Sequence, residues 1–223
     1  MACFPLGVDG IFATLPRVNA SSSHYFAPGS DLQIMDLRVT LDGAQRELVT
    51  AAGLFSADGL DKATAILLDH ADELPRLDPG MTVLDLGCGW GPIALVMALR
   101  QPAARVIAVD VNEHARVVCR MNAQRLGLSG IEVCAPEEVP AHLLFDAIWS
   151  NPPIRIGKAA MHAMLQQWLS RLTENGTASM IVGKNLGADS LARWLGSQHP
   201  DRTVERVASS QGFRLLHLTG AAS

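Results

Sequence analysis

Cysteine is scarce in this chain: four residues (Cys3, Cys88, Cys119, Cys134) are scattered with no CxxC spacing. That pattern speaks against a structural zinc site or a disulfide framework, no metal site is expected, and a reducing, cytoplasmic setting fits. No stretch approaches the roughly 18 consecutive apolar residues of a membrane span. The amino terminus carries no basic segment followed by an apolar run, so it does not read as a secretory signal. Internal repeats are absent, and Ser21–Ser23 is the only low-complexity segment. Charged residues make up only 18% against 48% hydrophobic, which excludes global disorder and allows a sizeable buried core.

At 223 residues the chain has the length of one generous α/β domain. Its net charge of −4 argues at first against a nucleic-acid partner, because phosphate binding needs Lys and Arg. The distribution matters more than the sum. Residues 1–146 hold 10 basic and 18 acidic side chains, whereas residues 147–223 hold 8 basic and 4 acidic. The carboxy-terminal third is therefore able to present a positive face. Scattered solvated charges are the plainer alternative.

Residues 1–23 lack any period and carry Gly, Pro and Ser, so they read as an arm. A β-hairpin is expected next: residues 32–41 alternate, Asp42-Gly43 turns the chain, and residues 46–50 return. Apolar positions at helical spacing (Leu60, Ala63, Leu67, Ala71, Leu74) predict a helix over 60–74. From there strand and helix alternate. Strands are expected at 82–86, 105–110, 131–135, 145–150 and 177–182, then at 203–208 and 213–218. Helices are expected at 92–100, 113–126, 159–172 and 190–195. Strands joined by helical crossovers imply an α/β, Rossmann-like architecture: a mainly parallel sheet with helices on both faces. Such sheets bind ligands beyond the carboxyl ends of their strands, where the strand order reverses.

The segment Val83-Leu84-Asp85-Leu86-Gly87-Cys88-Gly89-Trp90-Gly91 runs from a strand through three glycines into a helix. Gly87 and Gly89 permit a sharp turn and let a ligand approach backbone that a Cβ would block. Nicotinamide and flavin proteins also use glycine-rich turns, but their spacing is G-x-G-x-x-G, not the G-x-G-x-G found here. Asp85 precedes the first glycine. A carboxylate there suits a cationic, amino-bearing ligand and repels a pyrophosphate. The second strand ends at Asp110, nineteen residues beyond Gly91, where a carboxylate is placed to accept from both ribose hydroxyls of an adenosine. Asn112 reads as the cap of the next helix.

The fourth strand ends in Ser150-Asn151-Pro152-Pro153-Ile154-Arg155. Two prolines fix φ and remove two backbone donors, leaving carbonyl acceptors beside the Asn151 amide oxygen. Such a set suits an NH₂ group, whose hydrogens it accepts and whose lone pair it aims.

On these residues the chain resembles a class I S-adenosylmethionine-dependent methyltransferase. Within that class it resembles the small methyltransferase domain of the ribosomal RNA guanine-N2 methyltransferases acting on 16S rRNA. The resemblance covers roughly residues 24–219. It rests on His24-Tyr25-Phe26, Gly53-Leu54-Phe55-Ser56 with Asp61, the loop Asp85–Gly91, Asp110, Asn151–Arg155 with Gly157, and Lys184–Gly187. It implies a seven-stranded sheet carrying an amino-terminal hairpin, S-adenosyl-L-methionine as cofactor, and ribosomal RNA or the small ribosomal subunit as partner. By resemblance Asp85, Gly87, Gly89, Asp110, Val111 and Asn151 hold the cofactor, and Asn151 and Pro152 hold the target amine. Phe55, Pro153, Ile154 and Arg155 line the substrate side. Ile154-Arg155 after the prolines favours the RNA-guanine group over adenine and glutamine enzymes. Three departures stand out: Ala135-Pro136 replaces a polar adenine reader, Lys62-Ala63 replaces a glycine, and only a short segment precedes the domain.

In the expected chemistry, orientation and acceptor electrostatics do the work without a strong base. With Ile154 in place of an aromatic residue, base stacking would fall to Phe26, Phe55 or Trp90, although each such residue is more often a core residue than a stacking platform. Two alternatives stay open: transfer to a protein glutamine amide or a small amine, and a non-catalytic cofactor-binding module.

Overall fold

A computed structural model of the chain describes residues 32–54, 56–153 and 156–220. The expected amino-terminal arm, His24-Tyr25-Phe26, Phe55, Ile154 and Arg155 lie outside the described residues.

The chain opens with an antiparallel hairpin, β1 (Ile34–Leu41) and β2 (Ala44–Ala51). Its two-residue turn places Asp42 at φ 49° and Gly43 at φ 72°, the doubly left-handed geometry that matches the twist of the flanking strands. Next comes α1 (Lys62–Asp69), capped by Asp61, whose side chain accepts from the Ala63 and Thr64 backbone N–H groups. This helix is shorter than the apolar spacing predicts. It ends at His70, and a 3₁₀ turn over Ala71–Glu73 leads to Leu74. Leu74 is extended (ψ 157°) because the following Pro75 disfavours helical backbone before it.

Alternation then follows: β3 (Thr82–Leu86), α2 (Pro92–Arg100), β4 (Arg105–Val109), α3 (Glu113–Arg125), β5 (Ile131–Cys134), β6 (Phe145–Ser150) and α4 (Lys158–Leu169). The chain closes with β7 (Leu172–Gly183), α5 (Ala188–Gln198), β8 (Val204–Ser210) and β9 (Phe213–Leu218). Strand β7 begins five residues before the sequence predicts. The polar stretch Thr173–Gly176 is absorbed as an irregularity in its pairing with β6, between the Phe145–Leu172 and Ala147–Thr177 pairs.

The seven strands lie in the order β5-β4-β3-β6-β7-β9-β8. Pairs from β5 to β7 are parallel, and β9 runs antiparallel to both its neighbours. Strand β3 is the starting point: the chain steps from it to β4 and β5 on one side, then crosses back to β6 on the other. The order therefore reverses beside β3, and the crevice forms beyond the carboxyl ends of β3, β4 and β6. Alternation along the strands divides the core in two. Val83, Val106, Ala108, Ala147 and Trp149 pack with α1, α2, α3 and the hairpin, whereas Leu84, Leu86, Ile107 and Ile148 pack with α4 and α5. Among the described residues, no helix is long and apolar enough to cross a membrane.

One buried polar side chain ties the hairpin to this core. Asn122 of α3, with no exposed surface, donates to the Val49 and Trp90 carbonyls (both 2.9 Å) and accepts from Val49 N–H (2.8 Å).

Candidate functional site

The glycine loop is shaped by hydrogen bonds to the end of β4. The Gly87 and Cys88 N–H groups both donate to the Val109 carbonyl, at 2.8 and 2.9 Å. Gly87 and Gly89 have φ of 81° and 56°, and a Cβ built on either meets no atom within 4 Å. These glycines thus hold a left-handed path beside open space, a cradle that side chains would fill. Gly91 has a different reason to be glycine. It caps α2 at φ 98°, and a Cβ there would sit 2.7 Å from Cys119 Sγ, so α3 packs directly onto its backbone.

Asp110 stands across the loop. One carboxylate oxygen accepts from Gly89 N–H (2.9 Å) and the other from Asn112 N–H (2.8 Å). The group braces the loop while each oxygen keeps a free lone pair. Val111 follows, 83% exposed, and its carbonyl accepts from Arg116.

Asp85 takes a position that its place in the sequence does not reveal. It lies on the α2 side of β3, fully buried, and accepts from the Ala94 N–H at 2.9 Å. Its other oxygen has no hydrogen-bond partner. Burial, aided by the nearby Asp110 charge and opposed by the Ala94 hydrogen bond, pushes its carboxyl up to about 8. Beneath the loop, Cys119 and burial push the Cys88 thiol up, so Cys88 is a neutral packing group and not a nucleophile.

The Asn-Pro-Pro segment is held against the glycine loop from the other side. Ser150 Oγ donates to the Leu86 carbonyl at 2.7 Å, pinning the end of β6 to the residue before Gly87. Asn151 is partly buried and its Nδ2 donates twice, to Asp61 Oδ2 (2.9 Å) and to Thr64 Oγ1 (3.0 Å). Pro152 is buried and Pro153 exposed, with the Pro153 carbonyl accepting from the Ile156 N–H at 3.2 Å. Asp61, Thr64, Gly87, Gly89 and Asn151 together line one cleft. A larger hollow, bordered by Asp42, Asp72, Arg76 and Arg100, contains none of these groups and lies at the carboxyl end of α2, away from them.

The structure therefore brings Gly87, Gly89 and Asn151 to one cleft, with Asp110 bonded to its loop. Asp85 lies beneath it, not on its wall. Trp90 takes the core role and not that of a stacking platform: it is 1% exposed, and its carbonyl receives Asn122. Asp61 appears in the sequence only as part of a motif and Thr64 as nothing at all. Their shared contact is a tertiary one across about ninety residues, which no local pattern signals. After Ala135, the Glu138 carboxylate accepts from the Ala135 N–H (2.8 Å) and Glu137 remains exposed.

Comparison with known proteins gives one consistent answer. Residues 45–217 match the family model described as the methyltransferase small domain. YbxB of Bacillus subtilis, itself an uncharacterized protein, is 32% identical over 168 residues, covering 74% of this chain and 81% of its own length. Ribosomal RNA small subunit methyltransferase C of Pseudomonas paraeruginosa is 33% identical over 192 residues, or 83% of this chain. That match takes in 55% of the Pseudomonas protein, so the chain spans about half the length of this relative. Among solved structures, the T. thermophilus 16S rRNA N2 methyltransferase (RsmC), in complex with AdoMet and guanosine, superposes with a TM-score of 0.71. It is 22% identical, and the superposition covers 87% of this chain and 52% of that one. The chain therefore belongs to the methyltransferase small domain family, the class whose methyl donor is S-adenosylmethionine.

Proposed function

We propose that this protein transfers a methyl group to the exocyclic amino group of a base in RNA, specifically guanine N2 of 16S ribosomal RNA. The observation that carries the reading is the fixed orientation of Asn151. Both hydrogens of its amide are spent on Asp61 and Thr64, so its oxygen remains as the acceptor at the mouth of the cleft. Relatives named for small-subunit rRNA methylation, and the fold shared with an enzyme solved with guanosine, support the base and the RNA.

The residues present fit S-adenosylmethionine. Gly87 and Gly89 leave a cradle that a Cβ would enter, and Asp110, bonded to that loop, has acceptor capacity left for the ribose hydroxyls. Asp85, protonated and buried under the loop, supports the cradle from below through the Ala94 N–H, and Val111 offers apolar surface beside Asp110. When bound, the cofactor supplies a methyl group already activated on a sulfonium.

The chain's own part is positional. Asn151 Oδ1 and the Pro152 carbonyl accept from the target NH₂ and aim its lone pair. These contacts strengthen as the nitrogen turns cationic, so they act on the rate more than on ground-state binding. A proton then leaves to water, and no histidine is required. By resemblance, Pro153, Ile154, Arg155 and Phe55 are the residues that would meet the substrate. Val111, Ile156 and Leu186, all exposed, follow β4, β6 and β7 and give that edge an apolar rim. A ribosomal RNA substrate would put this activity in the cytoplasm.

The test is labelled methyl transfer onto naked 16S rRNA, small ribosomal subunits, whole ribosomes and a protein extract, followed by nucleoside analysis. Label in N2-methylguanosine is the expected result. Label confined to protein glutamine, or none on any substrate, would overturn the reading.

A further inference from the structure

We infer that Asp61, with Thr64, is a positioning residue that selects which end of the Asn151 amide faces the target, a role that rests on the reading of Asn151 given above. A primary amide is nearly symmetric in shape, and rotating it by half a turn exchanges an acceptor for two donors. With the oxygen toward the cleft Asn151 accepts from an amine; with the nitrogen there, donor would face donor and the lone pair would be misdirected. Asp61 removes this ambiguity because its carboxylate, when ionised, only accepts. The Asn151 Nδ2 lies 2.9 Å from Asp61 Oδ2 and 3.0 Å from Thr64 Oγ1, so both N–H groups are committed on that side.

Asp61 is itself held. The same Oδ2 accepts from the Ala63 N–H (2.9 Å) and the Thr64 N–H (3.1 Å) as the cap of α1. That helix is anchored through buried Ala63, Thr64, Ile66, Leu67 and Leu68. Order thus passes from a packed helix to a carboxylate and from it to an amide ninety positions away. There is an electronic consequence too. Donation of both N–H groups to acceptors, one of them charged, draws density onto the amide oxygen and makes it a stronger acceptor. Both Asp61 and Thr64 line the cleft with Asn151, so the device sits at the reaction site and not behind it.

Asp61→Ser separates the two jobs of this residue. Serine is an equally good helix cap but is too short to reach Asn151. Asp61→Asn keeps an oxygen in place without the charge, and Thr64→Val removes the second acceptor at nearly constant shape. Single-turnover transfer from S-adenosylmethionine to 16S rRNA transcript and to small subunits would be measured on the full chain. Cofactor affinity by calorimetry, thermal melts and the ¹⁵N signals of the Asn151 side-chain amide would be read on the same preparations. Asn151→Ala identifies those signals by their disappearance.

Asp61→Ser is expected to slow transfer by about 10- to 100-fold, the range for loss of a hydrogen bond to a charged group. Cofactor affinity and melting temperature should stay near wild type, the Asn151 amide protons should exchange faster, and Asp61→Asn should restore part of the rate. In an Asn151→Ala background Asp61→Ser should cost nothing more. Wild-type rates in Asp61→Ser beside an inactive Asn151→Ala protein would overturn the inference and leave the reading of Asn151 standing. So would an equal loss from Asp61→Ser in both backgrounds. A wild-type rate in Asn151→Ala itself would instead sink the underlying reading, and this inference with it. If Asp61→Ser melts early, the same cycle run with Thr64→Val and Asp61→Asn decides, and strict additivity with Asn151→Ala there would also overturn the inference.

Discussion

Asp85 is a carboxyl group placed where charge is costly, fully buried with one oxygen unpartnered. Its pKa, raised to about 8 from an ordinary 3.8, means that folding favours the protonated form. The contribution to stability is therefore complete below about pH 4 and is lost as pH rises through 8. Replacing Asp85 by Asn mimics the protonated acid at all pH values. Wild type should lose stability relative to Asp85→Asn between pH 5 and 8, at up to about 1.4 kcal/mol per pH unit. Urea unfolding of both proteins across that interval measures it, and a pH-independent difference would mean that the carboxyl ionises freely. At this scale the sequence is informative where chemistry needs a particular residue type. Gly87, Gly89, Asp110 and Asn151 stand out because glycine, a strand-end acid and Asn-Pro-Pro are costly or odd choices for a plain loop. It is silent where a role depends on which face of the sheet a residue meets. Asp85 and Trp90 both flank the loop in sequence, yet one lies under it and the other in the core. The need for Gly91 is hidden for the same reason, since the obstacle is Cys119 on another helix.

Secondary-structure elements were legible wherever hydrophobic periodicity met a clear stop. The hairpin, β3, α2, β6 and β9 lie within about two residues of the spans that their patterns predict. Helix α1 falls short because Leu74 keeps the helical spacing although Pro75 forbids the helix. Strand β7 runs long because Glu174, Asn175 and Gly176 carry no strand signal and are held by pairing alone. The attachment of the hairpin could not be read at all. It depends on Asn122, which the α3 pattern presents as one more polar position. Truncating Asn122 to Ala would strand Val49 N–H and the carbonyls of Val49 and Trp90 in the core. A loss of about 2–4 kcal/mol in unfolding free energy is expected from equilibrium denaturation. A loss under about 1 kcal/mol would show that the hairpin is held by its apolar contacts instead.

Across the whole molecule, the parallel alternation made the sheet and its functional edge legible, because right-handed crossovers leave every connecting loop of chemical interest at the carboxyl ends. The charge asymmetry acquires a place on that frame. Lys158 at the start of α4, Lys184 after β7 and Arg193 on α5 are all exposed. If they contact RNA, changing all three to Gln should weaken binding and flatten the dependence of log affinity on log salt by about one unit per lost contact. Titrations of 16S rRNA fragments at several salt concentrations give the slope, and a slope equal to wild type would leave the asymmetry without a role in binding. The central claim is that a fixed acceptor at Asn151, and not a base, carries the transfer. Its most direct test is the single-turnover methylation rate of Asn151→Ala on 16S rRNA, with cofactor affinity and melting temperature taken from the same preparation. The account predicts a fall of about 10²–10³-fold in rate with cofactor affinity and stability nearly intact. A stable, cofactor-binding Asn151→Ala protein that methylates at the wild-type rate would contradict it.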